Sequence, residues 1–107
     1  MTVLIGLFAI LAQIASAVAP IPGVASWYDY RPRQAAAGPA LREALGPSWR
    51  GQVVTVCAAT CTKVRLTDWC QCYKGQRRER IIDLDRRSFV VLGVLPSRGI
   101  AKVKIYP

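Results

Sequence analysis

Hydrophobic and polar residues alternate with a period of two in several short segments of the chain. Residues 99–106 are the clearest case, because Ala101, Val103 and Ile105 share one face of an extended strand and lysines occupy the other. Further strands are predicted where apolar, β-branched or aromatic residues cluster, at residues 25–30, 52–57, 62–68 and 80–84. The pattern therefore predicts five short strands, of which 52–57 and 62–68 form a β-hairpin.

Two brief helices are predicted between the strands, over residues 39–45 and 86–92. The first begins with a proline and places Leu41 and Leu45 on one face. Asp85 occupies the N-cap position of the second helix, where its charge also suits the helix dipole. Short strands with helical corners favour a small closed β-barrel, which leaves no exposed sheet edge.

The connecting segments 31–38 and 73–80 are predicted to be loops, and the second is strongly basic. At the end of the strand predicted over 62–68, Asp68 has the same parity as the apolar Val64 and Leu66. If that strand runs straight, the carboxylate leaves its end on the core side of the sheet.

The first 19 residues are almost entirely apolar and precede a change of composition at Pro20. Small residues at 15, 17 and 19 suit a signal peptidase, so residues 1–19 are predicted to be a signal peptide. A retained N-terminal anchor and a buried core helix are the two alternatives. Residues 20–107 are then one domain, and the protein is expected to be secreted, periplasmic or associated with the cell wall.

The four cysteines at positions 57, 61, 70 and 72 are expected to form disulfides if the protein is exported. Cys57 and Cys61 flank a three-residue loop at the mouth of the hairpin, and the second strand carries Cys70 and Cys72 away from them. Local pairing of 57 with 61 and of 70 with 72 fits this arrangement best. A four-thiolate zinc site is the alternative, although the C-x3-C and C-x-C spacings do not match the common zinc knuckle.

The chain has 107 residues, a net charge of +9 and no histidine. The missing imidazole excludes His-dependent acid–base relays and His-ligated metals, and no metal or cofactor is predicted. The basic charge suits anionic cell-wall polymer, acidic lipid headgroups or nucleic acid, or is simply a solvated face. Nucleic acid is disfavoured because the chain has an apparent export signal and no recognition-helix or phosphate-loop motif.

The order of these segments resembles the double-psi β-barrel domain of rare lipoprotein A and its relatives among expansins and barwin-like proteins. The similar segments are 25–28 (ASWY), 51–56 (GQVVTV), 64–68 (VRLTD), 80–85 (RIIDLD) and 99–105 (GIAKVKI). The resemblance implies a mainly β fold, a small six-stranded double-psi β-barrel with one or two short helices and disulfide staples.

The same resemblance implies a peptidoglycan-directed lytic transglycosylase, in which Asp68 aligns with the active-site aspartate. Asp83 aligns with a structural aspartate, and Asp85 replaces a serine cap. The residues assigned to substrate binding are Trp27, Tyr28, Arg65, Trp69 and Arg80.

One carboxyl is sufficient for that reaction, because the 6-hydroxyl of the substrate attacks the anomeric carbon and no second acid has to activate water. Burial beside Trp69 would raise the pKa of Asp68, whereas Arg65 or Arg80 nearby would lower it, and the sequence leaves both open.

Two other functions stay open. The histidine that the family carries before the strand 52–57 is absent, which favours a non-catalytic, expansin-like module that binds cell-wall polysaccharide. The third possibility is a structural or virion-associated protein without a glycan site. A monomer is expected, and membrane contact is expected only through the N-terminal segment if it is not cleaved.

Overall fold

Six strands with alternating apolar side chains close into a barrel in the computed structural model, which describes residues 19–107. The predicted leader or anchor therefore lies outside the described residues, apart from Ala19. The elements are β1 (Ile21–Tyr28), β2 (Gln34–Ala37), α1 (Pro39–Leu45), β3 (Val53–Cys57), β4 (Cys61–Trp69), β5 (Ile82–Asp85), α2 (Arg86–Val91), a 3-10 turn (Pro96–Arg98) and β6 (Ile100–Tyr106).

The strands follow one another around the barrel in the order β1, β5, β2, β4, β3, β6. The pairs β1–β5 and β2–β4 are parallel, and the remaining neighbours are antiparallel. This architecture, with two short helices and two disulfides, confirms the fold predicted from the sequence.

The barrel interior is filled by the residues that the alternation assigned to it. Ala101, Val103 and Ile105 of β6 are buried, and the lysines between them are exposed. Leu41 of α1 and Phe89 of α2 are fully buried members of the same core. Burial of each large apolar side chain contributes roughly 1.5–3 kcal/mol, so the helices are held mainly by these contacts.

The prediction of a loop over residues 31–38 was wrong, because this segment contains β2. Its sequence is Gln-Ala-Ala-Ala, and alanine has a low intrinsic preference for strands. The strand forms because it pairs with β4 on one side and β5 on the other, and because Ala35 and Ala37 pack into the core. Tertiary pairing outweighs local propensity here.

The four cysteines form the two local disulfides. Cys57 pairs with Cys61 across the mouth of the β3–β4 hairpin, and Cys70 pairs with Cys72 just beyond the end of β4. Asp85 caps α2 as predicted, since its carboxylate accepts a hydrogen bond from the backbone N–H of Ser88.

Strand β4 does not run straight to its end. Leu66 pairs with Ala35 of β2, whereas Asp68 pairs with the next residue, Ala36, so Thr67 is an extra residue in β4. Such a β-bulge reverses the side from which the following side chains project. The prediction that Asp68 lies on the core side is therefore wrong, and its carboxylate is on the outer face of the barrel.

Among residues 19–107, no helix combines the length and hydrophobicity that crossing a membrane would require.

Candidate functional site

A row of short side chains crosses the outer face of four adjacent strands. Ser26 of β1 lies opposite Asp83 of β5, Asp83 lies opposite Ala36 of β2, and Ala36 lies opposite Asp68 of β4. We call these four residues the groove face. They point outward because their neighbours along β1, β2 and β5 pack into the core. The small Ala36 therefore lies between the two aspartates, and its neighbours cover it almost completely.

Asp68 is half-buried and accepts two hydrogen bonds. The Tyr28 hydroxyl donates to Oδ2 at 3.2 Å, and the backbone N–H of Trp69 donates to Oδ1 at 2.8 Å. Burial, together with the Asp68 carboxylate, raises the pKa of Tyr28 well above its usual range. Tyr28 therefore stays neutral and keeps donating to Asp68. The ring of Tyr30 stacks on the ring of Tyr28, with 4.8 Å between the ring centroids.

The fold raises the pKa of Asp83. Burial raises its pKa, whereas the hydrogen bond donated by Ser26 Oγ at 3.0 Å and the charge of Arg80 lower it. The negative charge of Asp68 raises it further. The net direction is upward, so Asp83 holds a proton more readily than an ordinary aspartate.

Asp83 lies at the edge of an open depression of about 690 Å³ on the barrel surface. The opposite wall is the segment 70–76, which contains the Cys70–Cys72 disulfide. The other residues that line the depression are Ser26, Gln71, Tyr73, Lys74, Gln76 and Arg80.

This wall is fixed to the barrel by main-chain contacts. The backbone N–H of Cys70 donates to the carbonyl of Ala37 in β2, and the N–H of Arg80 donates to the Cys72 carbonyl. Next to Arg80, the N–H of Gly38 donates to the Ile81 carbonyl. A Cβ on Gly38 would lie 2.5 Å from the Arg80 carbonyl oxygen, so only glycine permits this approach. The close contact brings Arg80 to the edge of the depression.

Two aromatic side chains near the aspartates are exposed. Trp69 directly follows Asp68 and is 53 % exposed, and Tyr73, which lines the depression with Asp83, is 43 % exposed. Each ring has an arginine over it, Arg42 at 5.6 Å from the Trp69 centroid and Arg78 at 3.9 Å from that of Tyr73. Exposed apolar rings and cationic groups therefore neighbour the two carboxylates in the chain or in the depression.

The residues predicted to bind substrate are only partly brought together. Tyr28 contacts Asp68, Trp69 follows it, and Arg80 lines the depression. Trp27 instead points toward the core side, where its indole N–H donates to the Pro96 carbonyl at 2.8 Å. The side chain of Arg65 donates to the Gly51 carbonyl and does not line the depression.

The two aspartates assigned structural roles differ in their surroundings. Asp85 is buried at the start of α2, whereas the half-buried Asp83 belongs to the groove face. The signal for Asp83 was present in the sequence, since a polar residue between Ile82 and Leu84 must project to the side opposite the core. Arg42 and Trp49 were missed as neighbours of the site because no local pattern places α1 beside the end of β4.

The described residues offer little for a metal ion. Within 19–107, no three or more Cys, Asp or Glu side chains lie together in a way that could hold one. All four cysteines are disulfide-bonded, so thiolate ligands are lacking in this part of the chain. The side-chain oxygen atoms of the site are those of the Asp68 and Asp83 carboxylates and of the Ser26 and Tyr28 hydroxyls.

Comparisons with known proteins identify the fold. No protein-family model matches the sequence, and no curated protein matches it. Among solved structures, two of expansin from Clavibacter michiganensis superimpose on this chain with a TM-score of 0.61. One is the protein without ligand, at 15 % identity, and the other is a mutant in complex with cellohexaose, at 14 % identity. Each alignment covers 80 % of this chain and 48 % of the expansin chain, so this chain spans about half of that protein's length.

A rationally designed protein, mkDPBB_sym2, has the same fold. Its TM-score is 0.56 at 22 % identity, and the alignment covers 80 % of this chain and 98 % of the designed one. The structural superpositions establish the double-psi β-barrel fold. Because the sequence identities are low, the function has to be argued from the site itself.

Proposed function

We propose that this protein is a cell-wall polysaccharide-binding module that holds a glycan along the groove face. The observation that carries the proposal is the arrangement of Asp68 and Asp83 on either side of Ala36, beside a depression that Asp83 lines together with the exposed ring of Tyr73. The expansin with the same fold was crystallised with cellohexaose, which supports a glycan as the ligand.

The chemistry of the groove face suits a sugar chain. Carboxylates accept hydrogen bonds from sugar hydroxyl groups, and the Ser26 and Tyr28 hydroxyls add polar groups of fixed orientation. Exposed aromatic rings provide apolar surface for the C–H faces of sugar rings. The depression is open to solvent on the barrel surface, so a polymer can lie across it.

Sedimentation with insoluble peptidoglycan and with cellulose tests the proposal. The wild-type protein should sediment with at least one polymer, and Trp69→Ala and the double variant Asp68→Asn/Asp83→Asn should lose most of that binding. Asp29→Asn is the matched control, since Asp29 is an exposed aspartate outside the groove face. Retention of binding by the double variant, or absence of binding by the wild type, contradicts the proposal.

A second candidate function is lytic transglycosylase activity, which the raised pKa of Asp83 favours. In that reaction Asp83 would donate the proton to the leaving glycosidic oxygen, and Asp68 would accept the proton of the attacking 6-hydroxyl. Asp83, whose pKa burial raises, suits the acid, and Asp68, which accepts two hydrogen bonds, suits the base.

Mass spectrometry of peptide-stripped glycan strands after incubation with the protein tests this activity. If the protein has this activity, the wild type should produce glycan fragments with 1,6-anhydro ends, and both Asp68→Asn and Asp83→Asn should fail to produce them. Binding without product identifies the module as a binder.

A structural or virion-associated protein without a glycan site, the third possibility, would be favoured by an Asp68 fully buried in backbone hydrogen bonds with no groove beside it. Asp68 instead is half-buried and receives a side-chain hydrogen bond from Tyr28.

A further inference from the structure

Thr67, the extra residue of the bulge in β4, is held by side-chain contacts that the proposed function does not use. Its hydroxyl donates to Oε1 of Gln34 in β2 at 2.9 Å and lies 3.1 Å from the hydroxyl of Tyr30. Because the hydrogen of the Thr67 hydroxyl is directed to Gln34, the Tyr30 hydroxyl is the donor in the second contact. We call these three half-buried side chains the Thr67 network.

The main chain of the bulge is fixed as well. The Thr67 carbonyl accepts a hydrogen bond from Nη1 of Arg50, which belongs to the segment between α1 and β3. Gln34 is the first residue of β2, where it lies opposite Arg65 of β4. Contacts from three separate parts of the chain therefore meet at Thr67, although the extra residue of a bulge has no partner in the regular ladder.

The Thr67 network is connected to Asp68 through two stacked tyrosines. Tyr30 donates to Thr67, and its ring stacks on that of Tyr28 at the end of β1. Tyr28 in turn donates to Oδ2 of Asp68 at 3.2 Å. Two consecutive residues of β4 are thus each held by one tyrosine of the stack, so a shift of the bulge would disturb both contacts.

The position of the bulge matters for binding because Asp68 directly follows it. An extra residue that only the ladder restrains has freedom to move, and the next side chain moves with it. Hydrogen bonds to a carboxylate tolerate changes of only a few tenths of an ångström. A carboxylate that is already held in one orientation also loses less entropy when a sugar hydroxyl binds to it.

Resting on the proposed function, we propose that Thr67 is a positioning residue for glycan binding, whose hydroxyl fixes the bulge and so directs the Asp68 carboxylate toward the sugar hydroxyls. Thr67 acts through Asp68 and does not itself bind the glycan. The hydroxyl is the required group. Valine, which has nearly the shape of threonine, therefore cannot replace Thr67, whereas serine can.

Sedimentation with the insoluble polymer that binds the wild type tests the proposal. Thr67→Val should weaken glycan binding about five- to tenfold, because both hydrogen bonds of the hydroxyl are lost, and Thr67→Ser should recover most of the loss. Thr55→Val is the matched control, since Thr55 is a half-buried threonine on the outer side of β3, and it should bind like the wild type. Circular dichroism compares the folding of all variants.

A double-mutant cycle distinguishes positioning from a general loss of structure. If Thr67 acts through Asp68, Thr67→Val should weaken binding by less than about twofold when it is added to Asp68→Asn. A purely structural role would give the same loss in both backgrounds. Tyr30→Phe keeps the stacked ring, removes the donor to Thr67 and should weaken binding about two- to fivefold, so it decides the question if Thr67→Val does not fold.

Three results overturn the inference while the proposed function stands. They are wild-type affinity in folded Thr67→Val or Tyr30→Phe, an equal loss from Thr67→Val with and without Asp68→Asn, and a Thr67→Ser protein that binds no better than Thr67→Val. Absence of binding by the wild-type protein to both insoluble polymers instead overturns the proposed function itself.

Discussion

The groove face and the outer surface next to it use equivalent outward strand positions in different ways. On the groove face, Ser26, Asp68 and Asp83 are half-buried, and each makes a side-chain hydrogen bond. Before the bulge in β4, and along β6, the outward charged residues are cationic and exposed, and we call them the basic face: Lys63, Arg65, Lys102 and Lys104.

The difference arises from what covers each side. The segment 70–76 lines the depression beside Asp83, and Tyr28 covers Asp68 through its hydrogen bond; Asp83 is partly buried, which raises its pKa. The lysines of β6 lie beside an open depression lined partly by small and apolar residues. An outward strand position therefore becomes a site only where another part of the chain folds over it.

Enlarging Ala36 should have the largest effect. In Ala36→Leu, the larger side chain would occupy the space between the two aspartates. Glycan binding should then become undetectable, and the free energy of unfolding should decrease by about 1–3 kcal/mol. Thr55→Leu is the matched control on the outer side of β3, between Lys63 and Tyr106. Wild-type affinity in a folded Ala36→Leu protein, measured by calorimetry, would show that the ligand lies elsewhere.

Removing one disulfide at a time should distinguish the effect on stability from the effect on glycan binding. Cys57→Ser/Cys61→Ser and Cys70→Ser/Cys72→Ser should each lower the free energy of unfolding by about 2 kcal/mol, because each bridge closes a short loop. Only the second pair should weaken glycan binding, by about tenfold, since the wall of the depression must then be ordered on binding. Denaturant titration and calorimetry on both variants measure the two effects, and equal binding losses contradict the comparison.

The raised pKa of Asp83 predicts a pH-dependent gain in stability for Asp83→Asn. The folded protein keeps the proton at pH values where the unfolded chain, with an ordinary pKa of 3.8, has lost it. The contribution of Asp83 to stability is thus full below that pH and is lost as the pH rises through the raised pKa.

Asp83→Asn should therefore match the wild type near pH 3 and exceed its melting temperature at neutral pH. Asp29→Asn, an exposed control, should show no such dependence. Thermal unfolding across this pH range measures both, and a constant difference between Asp83→Asn and wild type would contradict the assignment.

Changes on the basic face should have the smallest effect. Lys102→Gln and Lys104→Gln should change unfolding free energy by less than about 0.5 kcal/mol, because surface substitutions rarely do more. Their effect on glycan affinity should be less than about twofold at physiological salt, where charges beyond about 8 Å are screened. A larger loss of affinity would place part of the ligand on this side of the barrel.

Much of the framework was predictable because it depends on local pattern. The alternation in β6, the N-cap at Asp85 and the two local disulfides follow from residue type and spacing. Strand β2 was not predictable, since three alanines carry no strand signal and the segment is extended only because two partners pair with it. The bulge at Thr67 was equally invisible, because no glycine or proline marks it.

The candidate site was half predictable for the same reason. Asp68 was singled out from its place at the end of a strand, but its direction depended on the bulge. Asp83 became part of the site because the barrel closes with β2 between β5 and β4, which sets the two aspartates on either side of Ala36. Pairing between distant strands leaves no mark on any single segment.

By itself the sequence indicated five of the six barrel strands and favoured the local disulfide pairing, and its lack of histidine excluded imidazole chemistry, because these depend on short-range periodicity, spacing and composition. Only the tertiary structure decided which carboxylates meet, that burial raises the pKa of Asp83 and which arginines lie beside aromatic rings. Those properties depend on burial and on contacts between residues far apart in the chain, and they exist only once the barrel has closed.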